Sequence, residues 1–205
     1  TVIELLNAEE ALTGLAPTPP EGTVLPETYD FQRGEDRAAV LQRMMDARDK
    51  LLAALWAQRQ PGLPVTTPEE AVILASIVEK ETGVASERPQ VAAVFTNRLR
   101  KGMRLESDPT IIYFITKGKP LGRRILKSEL ENPANTYNTY LIDGLPPTPI
   151  ANPGRAALAA VLDPPPSEYL FFVADGTGGH AFAVTYEEHR RNVEKWREYR
   201  ARTGK

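Results

Sequence analysis

A helix-capping residue followed at once by proline recurs along this chain, at Thr67-Pro68, Asp108-Pro109 and Asn152-Pro153. A side-chain oxygen at the N-cap accepts from an orphan backbone N–H of the first turn, and proline suits the first helical position because its missing N–H has no partner to lose there. The device therefore says where helices begin. Glu70, three residues after Thr67, supplies the partner of a capping box. Glycines set the expected stops: Gly83 after the first of these helices, Gly118 after the one opening at Asp108, and Gly102 after a further helix over 91–100. The central region thus reads as several short helices joined by tight loops.

The flanks follow other rules. Residues 3–13 carry a short helical pattern, and Pro17, Pro19, Pro20 and Pro26 then make an extended connector. Over 36–58, Val40, Leu41, Met44, Met45, Leu51, Leu52, Leu55 and Trp56 recur at helical intervals between charges, which predicts an amphipathic helix with its methionines in the core. Pro61, Gly62 and Pro64 end it and mark a boundary near residue 65. The stretch 133–154, crowded with proline, asparagine, threonine and tyrosine, leaves little room for a regular element and suits either a cleft wall or a rigid surface loop. Strands are expected over 169–174 and 181–185, joined as a hairpin by the glycine-rich 175–179. That turn lies between strands and lacks the Lys-Ser/Thr pair of a phosphate loop, which rejects nucleotide binding. Thr185 and Glu188 form another capping box, opening a charged helix that runs to about Arg202. The expected fold class is α+β: mainly helical, with a small antiparallel β-hairpin and a long C-terminal helix.

Composition narrows the chemistry. With 205 residues, 41% hydrophobic and 25% charged, the chain has the makings of an ordinary soluble globular protein. A net charge of −2, with the basic residues dispersed, gives no support to nucleic-acid or membrane-surface binding. Absence of cysteine removes disulfides, thiolate nucleophiles and cysteine-ligated metals. The histidines, His180 and His189, have no His-x-x-x-His spacing and follow no convincing nucleophile, which argues against a catalytic zinc and against a Ser-His-Asp triad. Lys117, Lys119, Arg123, Arg124 and Lys127 form a basic cluster that reads as solvated loop charge or as a contact for an anionic substrate. No apolar run approaches the roughly 18 residues that span a bilayer. No signal peptide is visible, and the chain opens on Thr1 rather than Met, which fits a processed protein or an excised soluble part, with any anchor or targeting segment then missing from view.

Carboxylates remain as candidates. Glu81 shares a helical stripe with Val78, Ile77 and Leu74, three, four and seven residues back. Desolvation in such a wall disfavours the charged form, raises the carboxyl pKa and suits it to donate a proton near neutral pH. The competing reading is a buried glutamate satisfied by an arginine. Glu79 projects about 160° away, toward Ala75 and Ser76, with its role less determined. Glu87 joins Glu79 and Glu81 at the end of that helix, Glu106 and Asp108 open the third helix, and Asp108 is accounted for as its N-cap. A two-carboxylate glycosidase needs its acids about 5–10 Å apart, which spacing along the chain does not establish.

The strings at 74–81 (LASIVEKE), 94–99 (VFTNRL), 102–110 (GMRLESDPT), 137–140 (YNTY), 144–147 (GLPP), 152–154 (NPG) and 173–180 (VADGTGGH) together resemble the MltG (YceG-like) family, endolytic murein transglycosylases of bacterial cell-wall synthesis. Glu21-Gly22 and 25–29 (LPETY) fit that family's lead-in, and the resemblance runs from about residue 22 to about residue 196. It implies Glu81, the second glutamate of the Glu-Lys-Glu string, as the catalytic acid and base, with Glu79 as a structural partner. It further implies that Asn97, Asp108, Tyr137, Asn138, Thr139, Tyr140, Pro146, Pro147, Asn152 and His180 bind or shape substrate, with no metal and no cofactor. The implied substrate is the glycan strand of peptidoglycan, and a peptidoglycan synthase is an implied partner that the sequence does not identify. The implied setting is a single-pass protein of the inner membrane with its catalytic domain on the periplasmic side. This chain would then be a soluble fragment, with 1–65 as lead-in and 66–205 as catalytic domain, lacking most of the family's LysM-like region and its anchor. A hydrolytic muramidase and a catalytically silent glycan-binding module are the rival readings.

Overall fold

A computed structural model describes residues 19–204, so the helix expected over 3–13 lies outside the described residues. Its elements are α1 (Arg37–Ala57), α2 (Pro68–Glu81), a 3-10 turn (Ala85–Glu87), α3 (Arg88–Arg100), α4 (Asp108–Thr116), the short α5 (Lys127–Leu130), α6 (Arg155–Leu162), β1 (Phe171–Ala174), β2 (His180–Ala183) and α7 (Tyr186–Thr203). The fold is α+β, mainly helical, with one antiparallel hairpin and a long C-terminal helix. Among the described residues, no helix is long and apolar enough to cross a membrane.

Helix α2 is the centre of the packing. Thr67 Oγ1 accepts from Glu70 N at 3.1 Å, as a cap should. Glu70 reaches back one residue further than a standard box, accepting from the backbone and hydroxyl of Thr66 at 2.6 and 2.8 Å. Ala71, Val72, Leu74, Ala75, Ile77 and Val78 are all buried where α2 meets α3 and α6. Each large aliphatic side chain so buried contributes about 1.5–3 kcal/mol. Leu51 and Leu52 of α1 and Val65 join the same cluster, while Met44 sits with Val24 and Leu41 in a smaller one, a core methionine as its helical position predicts.

Helix boundaries show where local signals yield to tertiary contacts. Helix α2 stops because Thr82 turns extended (φ −134°, ψ 130°), and its hydroxyl is used by Val84 N at 3.0 Å; Gly83 adopts no left-handed conformation. Gly102 and Gly118 do take the left-handed backbone expected of them. At α4 the N-cap is Ser107, one residue earlier than expected, and Asp108 is the first helical residue. The cause is the 137–142 turn, in which Thr139 accepts from Glu106 N (3.1 Å) through its carbonyl and from Ser107 N (2.9 Å) through its hydroxyl, fixing the entry to the helix. Helix α6 starts after Gly154 rather than at Asn152, because Asn152 is spent elsewhere. Its Oδ1 accepts from Gly22 N (2.8 Å) and Val24 N (3.2 Å), and its Nδ2 donates to Glu21 (3.1 Å), tying the lead-in to the core.

The hairpin pairs Phe171 with Ala183 and Ala174 with His180. Its strands are shorter than the expected runs, and the second begins one residue earlier, at His180; Leu170 N still donates to Ala183 O at 3.0 Å. Thr185 and Glu188 close the expected capping box, and α7 then lies across both strands.

Candidate active site

Glu81 is the last residue of α2, so the buried Leu74, Ile77 and Val78 form the wall beneath it while the chain beyond turns away. The side chain is half-buried and lines an open cleft of about 370 Å³. The cleft is assembled from distant segments: Arg98 of α3, the 105–108 stretch, Tyr140, the β1 residues Phe172 and Val173, His180 of β2, and His189 of α7. Burial pushes the Glu81 carboxyl up from 4.5 to about 7; the Ser107 hydroxyl pulls it down, the Asp108 charge raises it and the Arg98 guanidinium lowers it. Among the described residues the Ser107 hydroxyl, itself buried, makes no well-aligned hydrogen bond, so its help to the charged form is weak. At neutral pH the Glu81 carboxyl is therefore poised between acid and base.

An arginine is present, but it is committed elsewhere. Arg98, 6% exposed, donates to the carbonyls of Leu170 (2.6 Å), Arg104 (2.9 Å) and Leu105 (3.2 Å) and to Glu106 Oε2 (2.9 Å). Among the described residues Glu81 has no ion pair within 4.0 Å, which distinguishes it from a satisfied core glutamate. Glu106 holds its place in the cleft at a cost, with φ 54° in the left-handed region, worth about 1–2 kcal/mol for a residue with a Cβ. Tyr140 donates from its hydroxyl to Asp108 Oδ1 at 2.7 Å, and burial, together with the charge of Asp108, pushes that hydroxyl up so that it stays protonated. Glu87 grips His180 through its backbone N (2.9 Å) and Nδ1 (2.8 Å), presenting the ring at the cleft. Burial would raise the Glu87 carboxyl, but the His180 hydrogen bonds win and hold it low. Burial and the Arg98 charge push His189 down.

Of the residues expected to bind substrate, Asp108, Tyr140 and His180 meet Glu81 in this cleft. Asn97 instead anchors the approach to β1, donating to the carbonyls of Ser167 (2.7 Å) and Tyr169 (3.1 Å). Asn138 and Thr139 are fully buried: Asn138 donates to Leu130 O (2.8 Å) and accepts from Tyr140 N (3.0 Å), and Thr139 shares a hydroxyl contact with Thr110 (3.0 Å). Both hold the turn that presents Tyr140. Tyr137 pairs its hydroxyl with Thr148 (2.6 Å) and packs its ring 5.1 Å from that of Tyr113. Pro146 is buried and Pro147 exposed. Asn152 lies on a second cavity, of about 810 Å³, which Glu79 also lines. Glu79 accepts from Gly154 N (3.0 Å) and faces Arg88 (3.4 Å).

Residue-level reasoning missed Arg98, Ser107, Phe172 and His189 as neighbours of the acid. Arg98 carried a signal, being a cation four residues after the apolar Val94 on a helix whose buried residues are otherwise uncharged. The others carried none, because their nearness to Glu81 depends on how the hairpin and α7 pack. Among the described residues, no group of three His, Asp or Glu side chains converges as metal ligands.

Residues 2–195 match the model of the YceG-like family. An endolytic murein transglycosylase of Bacillus subtilis is 33% identical over 178 residues, covering 87% of this chain and 48% of its own length. A protein of the same description from Streptococcus pneumoniae is 34% identical over 179 residues, covering 84% of this chain and 31% of its own. A crystal structure of a yceG-like protein from Listeria monocytogenes aligns with a TM-score of 0.68 at 31% identity, covering 92% of this chain and 58% of that one. The chain thus spans about half, or less, of the length of the curated relatives it matches.

Proposed function

We propose, because this chain belongs to the YceG-like family, that it is the catalytic part of an endolytic murein transglycosylase, with Glu81 as its acid and base. One observation above all supports the reading: a half-buried carboxyl, pushed to about 7 by burial, lies open to a cleft and is not tied to an arginine. Protonated Glu81 gives its proton to the glycosidic oxygen between N-acetylmuramic acid and N-acetylglucosamine, and the bond from C1 to that oxygen breaks. The resulting carboxylate takes the proton of the C6 hydroxyl of the same muramyl residue as that oxygen attacks C1, closing a 1,6-anhydro ring. One group serves both steps, and no water is activated. Tyr140 and Asp108 act as a hydrogen-bonded pair at the cleft rim, and His180, steadied by Glu87, is a further contact for sugar hydroxyls.

The catalytic domain is placed at 66–205, with 1–65 as its lead-in. The proposed setting is the periplasmic face of the inner membrane, reached through a single-pass anchor on the whole protein, with peptidoglycan strands as substrate and a synthase as partner. Hydrolysis is the second reading, favoured by Glu106 and Asp108, carboxylates lining the same cleft that could serve a water. Mass spectrometry of digested murein separates the two. Anhydromuramyl ends are expected, and reducing ends alone would overturn the lyase mechanism. Glu81→Gln should abolish cleavage while glycan binding and the fold persist; unchanged cleavage would remove Glu81 from the mechanism, and glycan binding without cleavage by the unaltered protein would leave a scaffold module.

A further inference from the structure

The larger cavity, of about 810 Å³, is unused by the chemistry above. It carries Glu21, Glu27 and Glu79 together with Lys80, Arg88 and Arg155, over an apolar floor that includes Met44, Ile150 and Ala159. The cations are not used up by the anions. Among the described residues Arg88 Nε is buried without a hydrogen-bond partner, and its Nη2 reaches Glu79 only at 3.4 Å. Arg155 approaches Glu27 no closer than 3.9 Å, and Lys80 has no ion pair within 4.0 Å among the described residues. Incompletely paired charges of both signs suit an oligopeptide with a free carboxylate and a free amine.

This cavity lies next to the Glu81 cleft. Glu79 and Glu81 leave opposite sides of the last turn of α2, a helix about 10 Å across. Glu87 holds His180 at the cleft, while the next residue, Arg88, lines the cavity. At the helix end, an added Cβ at Gly83 would meet nothing within 4 Å. In murein a short peptide is bonded through its N-terminus to the lactyl carboxyl of the muramyl sugar, so its free charges are its carboxylates and the side-chain amine of a diamino acid, and four or five extended residues reach about 15 Å. That is enough to pass from one side of the helix end to the other.

We propose that this cavity receives the zwitterionic peptide arm of the murein strand being cut, with Lys80 and Arg88 taking a carboxylate and Glu27 an ammonium group. The inference rests on the murein reading above. A volume of this size suits a ligand of a few residues.

The test compares strands that carry their peptides with the same strands stripped by an amidase, using kcat/KM for release of new glycan ends. The unaltered protein should prefer peptide-bearing strands by about tenfold or more, the worth of one charge-assisted hydrogen bond. Lys80→Gln, at an exposed position that leaves folding intact, should lower that preference about tenfold, chiefly through KM; Arg155→Gln, also exposed, tests the same cavity independently. A preference near one in the unaltered protein, or an equal preference in both variants and the parent, would overturn the peptide site while leaving murein cleavage standing. Cleavage of neither substrate by the unaltered protein would instead overturn the murein reading, and the peptide site with it.

Discussion

Replacing Glu81 by glutamine should change stability in a way that depends on pH, and the size of the change follows from its surroundings. The folded protein holds the Glu81 proton to about pH 7, whereas the unfolded chain releases it near 4.5. Between these values the native state binds more protons than the unfolded state, so this group's contribution to stability falls as pH rises through the window. At 1.36 kcal/mol per tenfold change in proton affinity, the ionised carboxylate costs the fold about 3 kcal/mol at about pH 8 and under about 1 kcal/mol at about pH 5. Glutamine has nearly the same shape and never ionises. Glu81→Gln should therefore match or slightly exceed the parent at about pH 5 and exceed it by about 3 kcal/mol at about pH 8. For a chain of 205 residues, the latter corresponds to roughly 6–12 °C in Tm. Urea unfolding followed by circular dichroism at both pH values measures the difference, and any pH-independent effect of the amide cancels. A gap that is the same at both pH values would mean that Glu81 ionises as freely in the fold as outside it and is not a poised acid.

The cleavage rate itself should decline above about pH 7 as Glu81 loses the proton it must donate; because the Asp108 charge helps raise that pKa, Asp108→Asn should move the descending limb of the kcat/KM profile to lower pH, and an unmoved limb would exclude the coupling. Arg98→Leu should cost about 3 kcal/mol or more in urea unfolding, since it leaves the carbonyls of Leu170, Arg104 and Leu105 without their donor, whereas a loss below about 1 kcal/mol would show those contacts to be incidental. Gly22→Ala should cost about 2 kcal/mol or more: Gly22 has φ 82°, and its added Cβ would come within 2.7 Å of Pro149 Cγ and 2.8 Å of Val72 Cγ1. Gly83→Ala should stay within about 0.5 kcal/mol of the parent, because the structure asks nothing special of that backbone; a large loss would restore Gly83 as the helix stop.

Some features were legible in the chain because their causes are short-range. The cap at Thr67, the box at Thr185 and Glu188, and the hairpin around 175–179 each depend on residues within a few positions of one another, and each stands where expected. The apolar stripe of Leu74, Ile77 and Val78 is a property of helical periodicity, so the wall beneath Glu81 was written before any packing was known. Asp108 and Asn152 were misread as caps for the opposite reason. A short polar side chain beside a proline is a good cap only if nothing distant claims it, and Tyr140 claims the first while the lead-in backbone claims the second.

The chain by itself therefore determined a set of short helices, a hairpin and an acid on a greasy face, since capping, periodicity and turn chemistry act over one or two turns of backbone. Tertiary structure decided what surrounds that acid. It brought Arg98, Ser107, Tyr140 and His180 to the cleft, turned Asn97, Asn138 and Thr139 inward as braces, and set a second, charged cavity on the far side of α2. A polar side chain binds whichever partner the packing brings within about 3 Å, and that partner lies tens of residues away along the chain.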